Sequence, residues 1–141
     1  FMIPQYTTAA LVTENKTLCF PASADSIPTS LGQEDHVSMG SISGRKLNRV
    51  LDNLEFILAI ELMSACQAIE FRRPLKSSPI LEFAHDHVRE YVEFASEDRI
   101  FSKDIEKITA IIRDFSFVNQ VNAFAGSAGI DLNENYPGYV C

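Results

Sequence analysis

The middle of the chain carries a long helical pattern, from about residue 36 to residue 71. Apolar residues recur along it every three or four positions, which places them on one face of an α-helix. That face consists of Leu47, Leu51, Leu54, Leu58, Leu62, Ala65 and Ile69. From Phe56 to Ile69 nearly every side is apolar, so we expect this half to be buried all round. A multi-helix bundle or an oligomer core could bury it, whereas a lone helical hairpin could not.

Weaker helical patterns lie on either side of the long one. Residues 5–17 contain good helix formers and predict a first helix. Ser78 followed by Pro79 predicts the start of another helix, which we expect to run to about Phe94. A shorter helix is expected to begin near Ser102 and to direct isoleucine side chains inward. These isoleucines are Ile105, Ile108, Ile111 and Ile112.

No segment alternates apolar and polar residues convincingly as a β-strand does, so the pattern predicts an all-α fold. We expect residues 1–117 to form one helical region. Beyond Phe117 the chain is rich in Asn, Gly and Ser. Residues 118–141 are therefore left as a C-terminal tail without an assigned structure.

A polar loop of about fifteen residues, from Cys19 to Gln33, precedes the long helical pattern. It contains prolines, serines and a glycine without periodicity, and loops of this length in compact domains are often functional. The loop ends in a dense polar run formed by Gln33, Glu34, Asp35 and His36. Such a run at the start of a helix is typical either of a helix cap or of part of a site.

The residue types of this run leave both interpretations open. In the structural one, Asp35 caps the helix and Glu34 complements the positive end of the helix dipole. In the functional one, Glu34 acts as a general base and Gln33 orients a substrate. The position at a helix start favours an ionised carboxylate in either case.

Composition and charge narrow the class of protein. The net charge is −7, from 12 basic and 19 acidic residues, which disfavours binding to nucleic acid or to an anionic membrane surface. The most apolar window, residues 56–69, contains Glu61 and is shorter than the roughly 20 residues that a bilayer requires. We therefore expect no membrane span.

The three cysteines, Cys19, Cys66 and Cys141, are widely spaced and form no Cys-x-x-Cys pair. Reduced thiols in a cytoplasmic protein are the favoured interpretation. His85 and His87 lie two residues apart on a predicted helix, point in different directions and cannot share a metal ion. We interpret both histidines as solvated surface residues and predict no metal site.

Seven segments of the chain match one family when they are taken together in order: residues 10–16, 21–26, 33–40, 59–62, 65–67, 73–76 and 104–106. They resemble the aromatic amino acid ammonia-lyase family, and within it the histidine ammonia-lyases. The run from Gln33 to Gly40 is the most specific, because the phenylalanine and tyrosine branches usually carry Gln where this chain has Glu34. The resemblance covers roughly residues 1–115 and is to the C-terminal part of a much longer protein.

The resemblance implies a long-helix bundle and an enzyme that eliminates ammonia from L-histidine to give trans-urocanate. It implies a homotetramer whose active sites combine several subunits. Glu34 matches the family's active-site glutamate, which contacts the substrate and assists proton transfer. Gln33 beside it is implied to bind and orient the substrate, or to orient the family's prosthetic group. Family members carry a methylidene-imidazolone group made from an internal Ala-Ser-Gly, which this chain lacks. We therefore expect the chain by itself to be inactive.

Two alternatives stay open. The chain could come from a tyrosine or phenylalanine ammonia-lyase, or from an aminomutase of the same family. It could also be a non-catalytic helical oligomerisation module, in which Glu34 and Asp35 only cap a helix. The chain begins inside an apolar run, Phe1 to Ile3, so we expect that a preceding segment has been removed.

Overall fold

A computed structural model describes residues 1–22, 24, 26–34 and 40–132. The described residues form five α-helices and one short 3-10 turn, and the all-α prediction is confirmed. The helices are α1 (Met2–Leu18), α2 (Gly40–Glu70), α3 (Pro79–Arg89), α4 (Ser102–Arg113) and α5 (Ser116–Ser127), with the 3-10 turn at Ser30–Gly32. The chain divides into two compact units, Phe1–Ile57 and Leu58–Cys141, which are described separately below.

The first unit contains α1 and the beginning of α2. Helix α1 starts at Met2, earlier than predicted, because Pro4 lies in the first turn, where a helix tolerates proline. Asn53 of α2 is buried and donates hydrogen bonds through Nδ2 to Glu14 Oε2 (3.0 Å) and Asn15 Oδ1 (2.9 Å). These bonds join α2 to the C-terminal part of α1.

The predicted apolar face of α2 is largely uncovered within the first unit. Leu47, Leu51 and Leu54 are 56%, 47% and 41% exposed, and we call these three residues the leucine stripe. The buried residue of this part of α2 is the polar Asn53. The unit therefore buries Asn53 and leaves these leucines accessible.

The second unit builds its core from the end of α2 and from α3 and α4. The expected inward isoleucines of α4 are buried at Ile105, Ile108 and Ile111. Helix α2 contributes Ala59, Ile60, Met63 and Cys66 to the buried set. This chain alone does not bury residues 56–69 all round, because Leu58 is 41% exposed and Glu61 is also exposed, so burial of this stretch in an oligomer stays a prediction. The remaining elements of the unit cover only one face of α2.

Helix α3 begins as predicted, with Ser78 as N-cap and Pro79 as its first residue. It ends at Arg89, five residues before the predicted end at Phe94. Two side chains hold the segment after it in a non-helical course. The Gln67 side chain exchanges two hydrogen bonds with the backbone of Ala95 (2.9 and 3.1 Å), and Arg99 donates to two backbone carbonyls.

Helix α5 occupies part of the segment that the sequence left as an unassigned tail. Asp114 Oδ1 accepts a hydrogen bond from the Ser116 N–H (2.9 Å) at the start of this helix. The Phe124 ring stacks on Phe83 of α3 with centroids 4.3 Å apart. Aromatic packing therefore holds α5 against α3.

The described residues, 1–22, 24, 26–34 and 40–132, were searched for membrane-spanning helices and for metal-binding groups. None of their helices combines the length and the apolarity needed to cross a membrane. Their His, Cys, Asp and Glu side chains form no group of three that could hold a metal ion.

Candidate functional site

Gln33 and Glu34 lie at the end of the polar loop in the first unit, and both residues are exposed. Glu34 pairs with Thr29 as an isolated antiparallel bridge. Its carbonyl accepts the Thr29 N–H at 2.8 Å, and its N–H donates to the Thr29 carbonyl at 3.3 Å. Glu34 therefore has a defined backbone anchor although its side chain is accessible.

A tight turn connects the two bridged residues. Ser30, Leu31 and Gly32 have positive φ angles of 54°, 57° and 85°. The Gly32 N–H donates to the Thr29 carbonyl (3.1 Å), and the Gln33 N–H donates to the Ser30 carbonyl (3.2 Å). The chain thus reverses direction within four residues, and Gln33 and Glu34 follow directly after this reversal.

The first end of the polar loop is also attached to the first unit. The Lys46 ammonium of α2 donates a hydrogen bond to the carbonyl of Phe20 and lies 5.9 Å from the centroid of its ring. The Phe20 N–H donates to the Thr17 carbonyl at the end of α1 (3.4 Å). The loop is therefore held near its start by Lys46 and at its end by the Thr29–Glu34 bridge.

Residues 35–39 lie outside the described residues. The predicted cap at Asp35, the polar position His36 and the predicted helix start therefore stay predictions. The described part of α2 begins at Gly40. Of the polar run, the structure therefore describes only Gln33 and Glu34.

The side chains of Gln33 and Glu34 offer complementary chemistry. A carboxylate can accept a proton from a substrate that lies within hydrogen-bond reach, which is the requirement for a general base. A neighbouring amide can donate and accept hydrogen bonds and so orient that substrate. Both groups are accessible in this structure, so a substrate can approach them.

The sequence contains no precursor for the prosthetic group of the resembled family. The nearest stretch is Ile42, Ser43 and Gly44. All three residues lie within helix α2, and Ile42 stands where the precursor needs alanine. These residues do not fit the group, and no catalytic step is derived through it from this chain.

The second unit contains a cluster of charged side chains that the sequence did not predict. His85 is 4% exposed, with Nε2 3.0 Å from Glu70 Oε1 and Nδ1 2.9 Å from Asp86 Oδ1. Arg89 Nε lies 3.3 Å from the same Glu70 oxygen. The prediction that His85 is a solvated surface residue was wrong, because its side chain is buried, with Nδ1 2.9 Å from Asp86 Oδ1 and with Nε2 making no hydrogen bond to the described residues.

His87 was also predicted to be solvated, and this prediction too was wrong. Its side chain is 10% exposed and lies between aromatic rings. The ring centroids of Phe83, Tyr91 and Phe117 are 6.3, 5.5 and 6.2 Å away. Phe83 and Tyr91 lie four positions before and after His87, so the sequence pattern contained a signal for this cluster.

A second part of the charged cluster joins the end of α2 to α3. Arg73 Nη1 lies 2.6 Å from Glu82 Oε2, and Arg73 Nε lies 3.7 Å from Glu70 Oε2. The hydrogen bond from the Ser77 N–H, followed by that from Arg73, lowers the pKa of Glu82. The hydrogen bond to Glu82 raises the pKa of Arg73. Both groups are therefore charged at neutral pH, and the cluster has a structural role.

The helical fold and the sequence can now be compared with known proteins. The family model described as "Aromatic amino acid lyase" matches residues 1–90, which include Gln33 and Glu34. The chain belongs to this family of carbon-nitrogen lyases.

Histidine ammonia-lyases are prominent among the similar proteins. The one from Desulfotalea psychrophila is 51% identical over 122 residues, which cover 86% of this chain and 24% of that protein. The crystal structure of the Trypanosoma cruzi histidine ammonia-lyase superposes with a TM-score of 0.84 and 41% identity, over 99% of this chain and 29% of that one. A tyrosine aminomutase from Streptomyces globisporus superposes with a TM-score of 0.82 and 35% identity, over 87% of this chain and 23% of that one.

The chain thus spans about a quarter of the length of the relatives that it matches. The expected resemblance to histidine ammonia-lyase is confirmed over most of the chain.

Proposed function

We propose that this chain supplies the Glu34-bearing segment of a histidine ammonia-lyase, which converts L-histidine to trans-urocanate and ammonia. The observation that carries the proposal is the position of Gln33 and Glu34 within the matched residues 1–90. The similarity to named histidine ammonia-lyases, at 51% identity for one of them, favours histidine as the substrate.

In the proposed reaction Glu34 assists the removal of a weakly acidic β-proton of the substrate. Its accessible carboxylate and its anchored backbone support this role, because a general base must be both reachable and positioned. Gln33 orients the substrate through its amide. The methylidene-imidazolone group, when present, supplies the electrophile, and its precursor must come from residues outside this chain.

The exposed leucine stripe supports a second part of the proposal, self-association into a homotetramer. Three leucines on consecutive turns of one helix face are 41–56% exposed, and a continuous apolar face of this kind is typical of an interface. We propose that further copies, together with the rest of the enzyme, cover this face. The free thiols of Cys19 and Cys66 accord with a cytoplasmic location.

A chimeric enzyme tests the proposed activity. In the D. psychrophila histidine ammonia-lyase, the segment that matches this chain is replaced by the residues of this chain. We expect this chimera to form urocanate from L-histidine, whereas the 141-residue chain alone forms none. A folded chimera that is inactive beside an active parent enzyme contradicts the proposal, and so does urocanate formation by the chain alone. If the chimera is insoluble, exchange of residues 26–34 only provides the same test.

The Glu34→Gln chimera tests the assigned role. Loss of a general base costs about 10²–10⁴-fold in rate, so we expect kcat to fall at least about 100-fold. If Glu34 only complements the helix dipole, kcat stays unchanged and stability falls by about 0.3–1 kcal/mol. Thermal unfolding and kinetics of the same samples separate these outcomes.

The similarity to a tyrosine aminomutase makes tyrosine the alternative substrate to examine. The smaller exchange of residues 26–34 can be made in that aminomutase as well. We expect the exchange to lower kcat/KM for tyrosine, because Glu34 is proposed to act on histidine. Unchanged activity on tyrosine would remove Glu34 as the basis for substrate choice.

A further inference from the structure

We propose that Gly32 is a positioning residue for Glu34, because its left-handed backbone closes the turn that sets the direction of Gln33 and Glu34. This inference rests on the proposed function of Glu34. It assigns a role to a residue that itself carries no reactive group and lies two positions before the carboxylate.

The first step of the argument is the hydrogen bonding of the turn. Thr29 and Glu34 exchange two backbone hydrogen bonds, at 2.8 and 3.3 Å. The Gly32 N–H adds a third bond to the Thr29 carbonyl at 3.1 Å. Gly32 is therefore the residue at which the returning chain meets Thr29, directly before Gln33 and Glu34.

The second step is that, among the described residues, side-chain packing does not hold this turn in place, since residues 29–34 are all exposed. Leu31 at the apex is 109% exposed relative to a fully accessible leucine, so it makes no packing contribution. The 3-10 turn has no capping hydrogen bond from the side chain of Thr29. The geometry of residues 30–34 thus depends on backbone conformation and on the backbone hydrogen bonds at Thr29.

The third step concerns the backbone preference at position 32. The φ angle of Gly32 is +85°, where residues with a Cβ are disfavoured. Ser30 and Leu31 already have positive φ angles, so glycine relieves the strain at one of three consecutive positions. A Cβ built at Gly32 meets no atom of the described residues within 4 Å. Alanine at this position would therefore act through the backbone preference and not through a steric clash.

The chain contains a matched control glycine. Gly44 lies within helix α2, and a Cβ built there likewise meets no atom within 4 Å in the part of the chain that the structure describes. Its φ angle is not in the positive range, so alanine at this position is compatible with the helix. The two glycines therefore share open surroundings and differ in the backbone conformation that they adopt.

The experiment compares three variants of the chimeric enzyme: Gly32→Ala, Gly32→Asn and Gly44→Ala. We expect Gly32→Ala to lower kcat about tenfold, since the left-handed conformation becomes a minor one. KM should rise as well, because Gln33, which is proposed to orient the substrate, follows the same turn. Gly32→Asn should restore most of the rate, since asparagine tolerates positive φ. Gly44→Ala should match the unmodified chimera.

The outcomes separate this inference from the proposed function. An unmodified chimera without lyase activity would contradict the proposed function itself. An active chimera in which Gly32→Ala is equally active would overturn the role of Gly32 and leave that of Glu34 intact. If Gly32→Asn is as slow as Gly32→Ala, backbone conformation is not the cause and the inference fails.

Discussion

Glu82 accepts an Arg73 guanidinium hydrogen bond at 2.6 Å through one carboxylate oxygen and the Ser77 N–H at 2.7 Å through the other. Both oxygens are therefore used to close the connection between α2 and α3. The backbone bond from Ser77, followed by the Arg73 side chain, lowers the pKa of Glu82. The folded state consequently favours the ionised form of this carboxylate.

The lowered pKa of Glu82 predicts a pH dependence of stability. A carboxylate with a depressed folded pKa stabilises the fold above its unfolded pKa, about 4.3 for glutamate, and loses this effect as pH falls through the folded pKa. We expect Glu82→Gln to melt at a lower temperature than the parent chain at pH 7. The two melting temperatures should converge as the pH falls below about 4. Glu97→Gln, at an exposed position of the same unit, is the control, and a constant difference at every pH would contradict the prediction.

The buried hydrogen bonds of Asn53 are expected to contribute more to the free energy of unfolding than a nearby exposed ion pair. Its side chain is 2% exposed and donates two hydrogen bonds, whereas the nearby Arg49–Glu14 pair has side chains that are 56% and 40% exposed. We expect Asn53→Leu to lower the free energy of unfolding by about 1–3 kcal/mol. Arg49→Ala should lower it by at most about 1 kcal/mol. Urea unfolding followed by circular dichroism measures both, and equal losses would contradict the argument.

The sequence predicted best the features that depend on neighbouring residues. Ser78 followed by Pro79 is a local signal for a helix start, and the structure begins α3 there. The buried His85 contacts Glu70, fifteen positions away on another helix, and no local pattern contains that contact. Helix α5 was missed for a similar reason, since its stacking on Phe83 is a contact between distant segments.

For the candidate site, too, the sequence predicted some features and not others. The polar run and the family resemblance predict Gln33 and Glu34 as site residues, and this assignment stays a prediction. The bridge from Thr29 to Glu34 could not be predicted, because it depends on three consecutive positive φ angles. Glycine at position 32 readily adopts a positive φ angle, whereas serine and leucine at positions 30 and 31 do so rarely. The turn is therefore visible only in the backbone geometry.

The leucine stripe predicts that the chain associates through α2. We expect Leu51→Gln together with Leu54→Gln to shift the purified chain toward the monomer in sedimentation velocity, because two half-exposed leucines leave the proposed interface. Leu132→Gln removes a leucine of similar exposure (44%) from outside the stripe and should leave the association unchanged. A parent chain that is monomeric at all concentrations would contradict association through this face in the isolated chain.

The two described cysteines predict a large difference in thiol reactivity. Cys66 is 2% exposed, and burial raises the pKa of its thiol, so both access and the thiolate fraction are reduced. Cys19 is exposed at the end of α1. In a Cys141→Ser background, we expect an aromatic disulfide reagent at pH 8 to modify Cys19 more than about tenfold faster than Cys66. The Cys19→Ser and Cys66→Ser variants assign the two phases, and in urea the rates should become similar. Fast modification of Cys66 in the folded chain would show that the core around α2 opens readily.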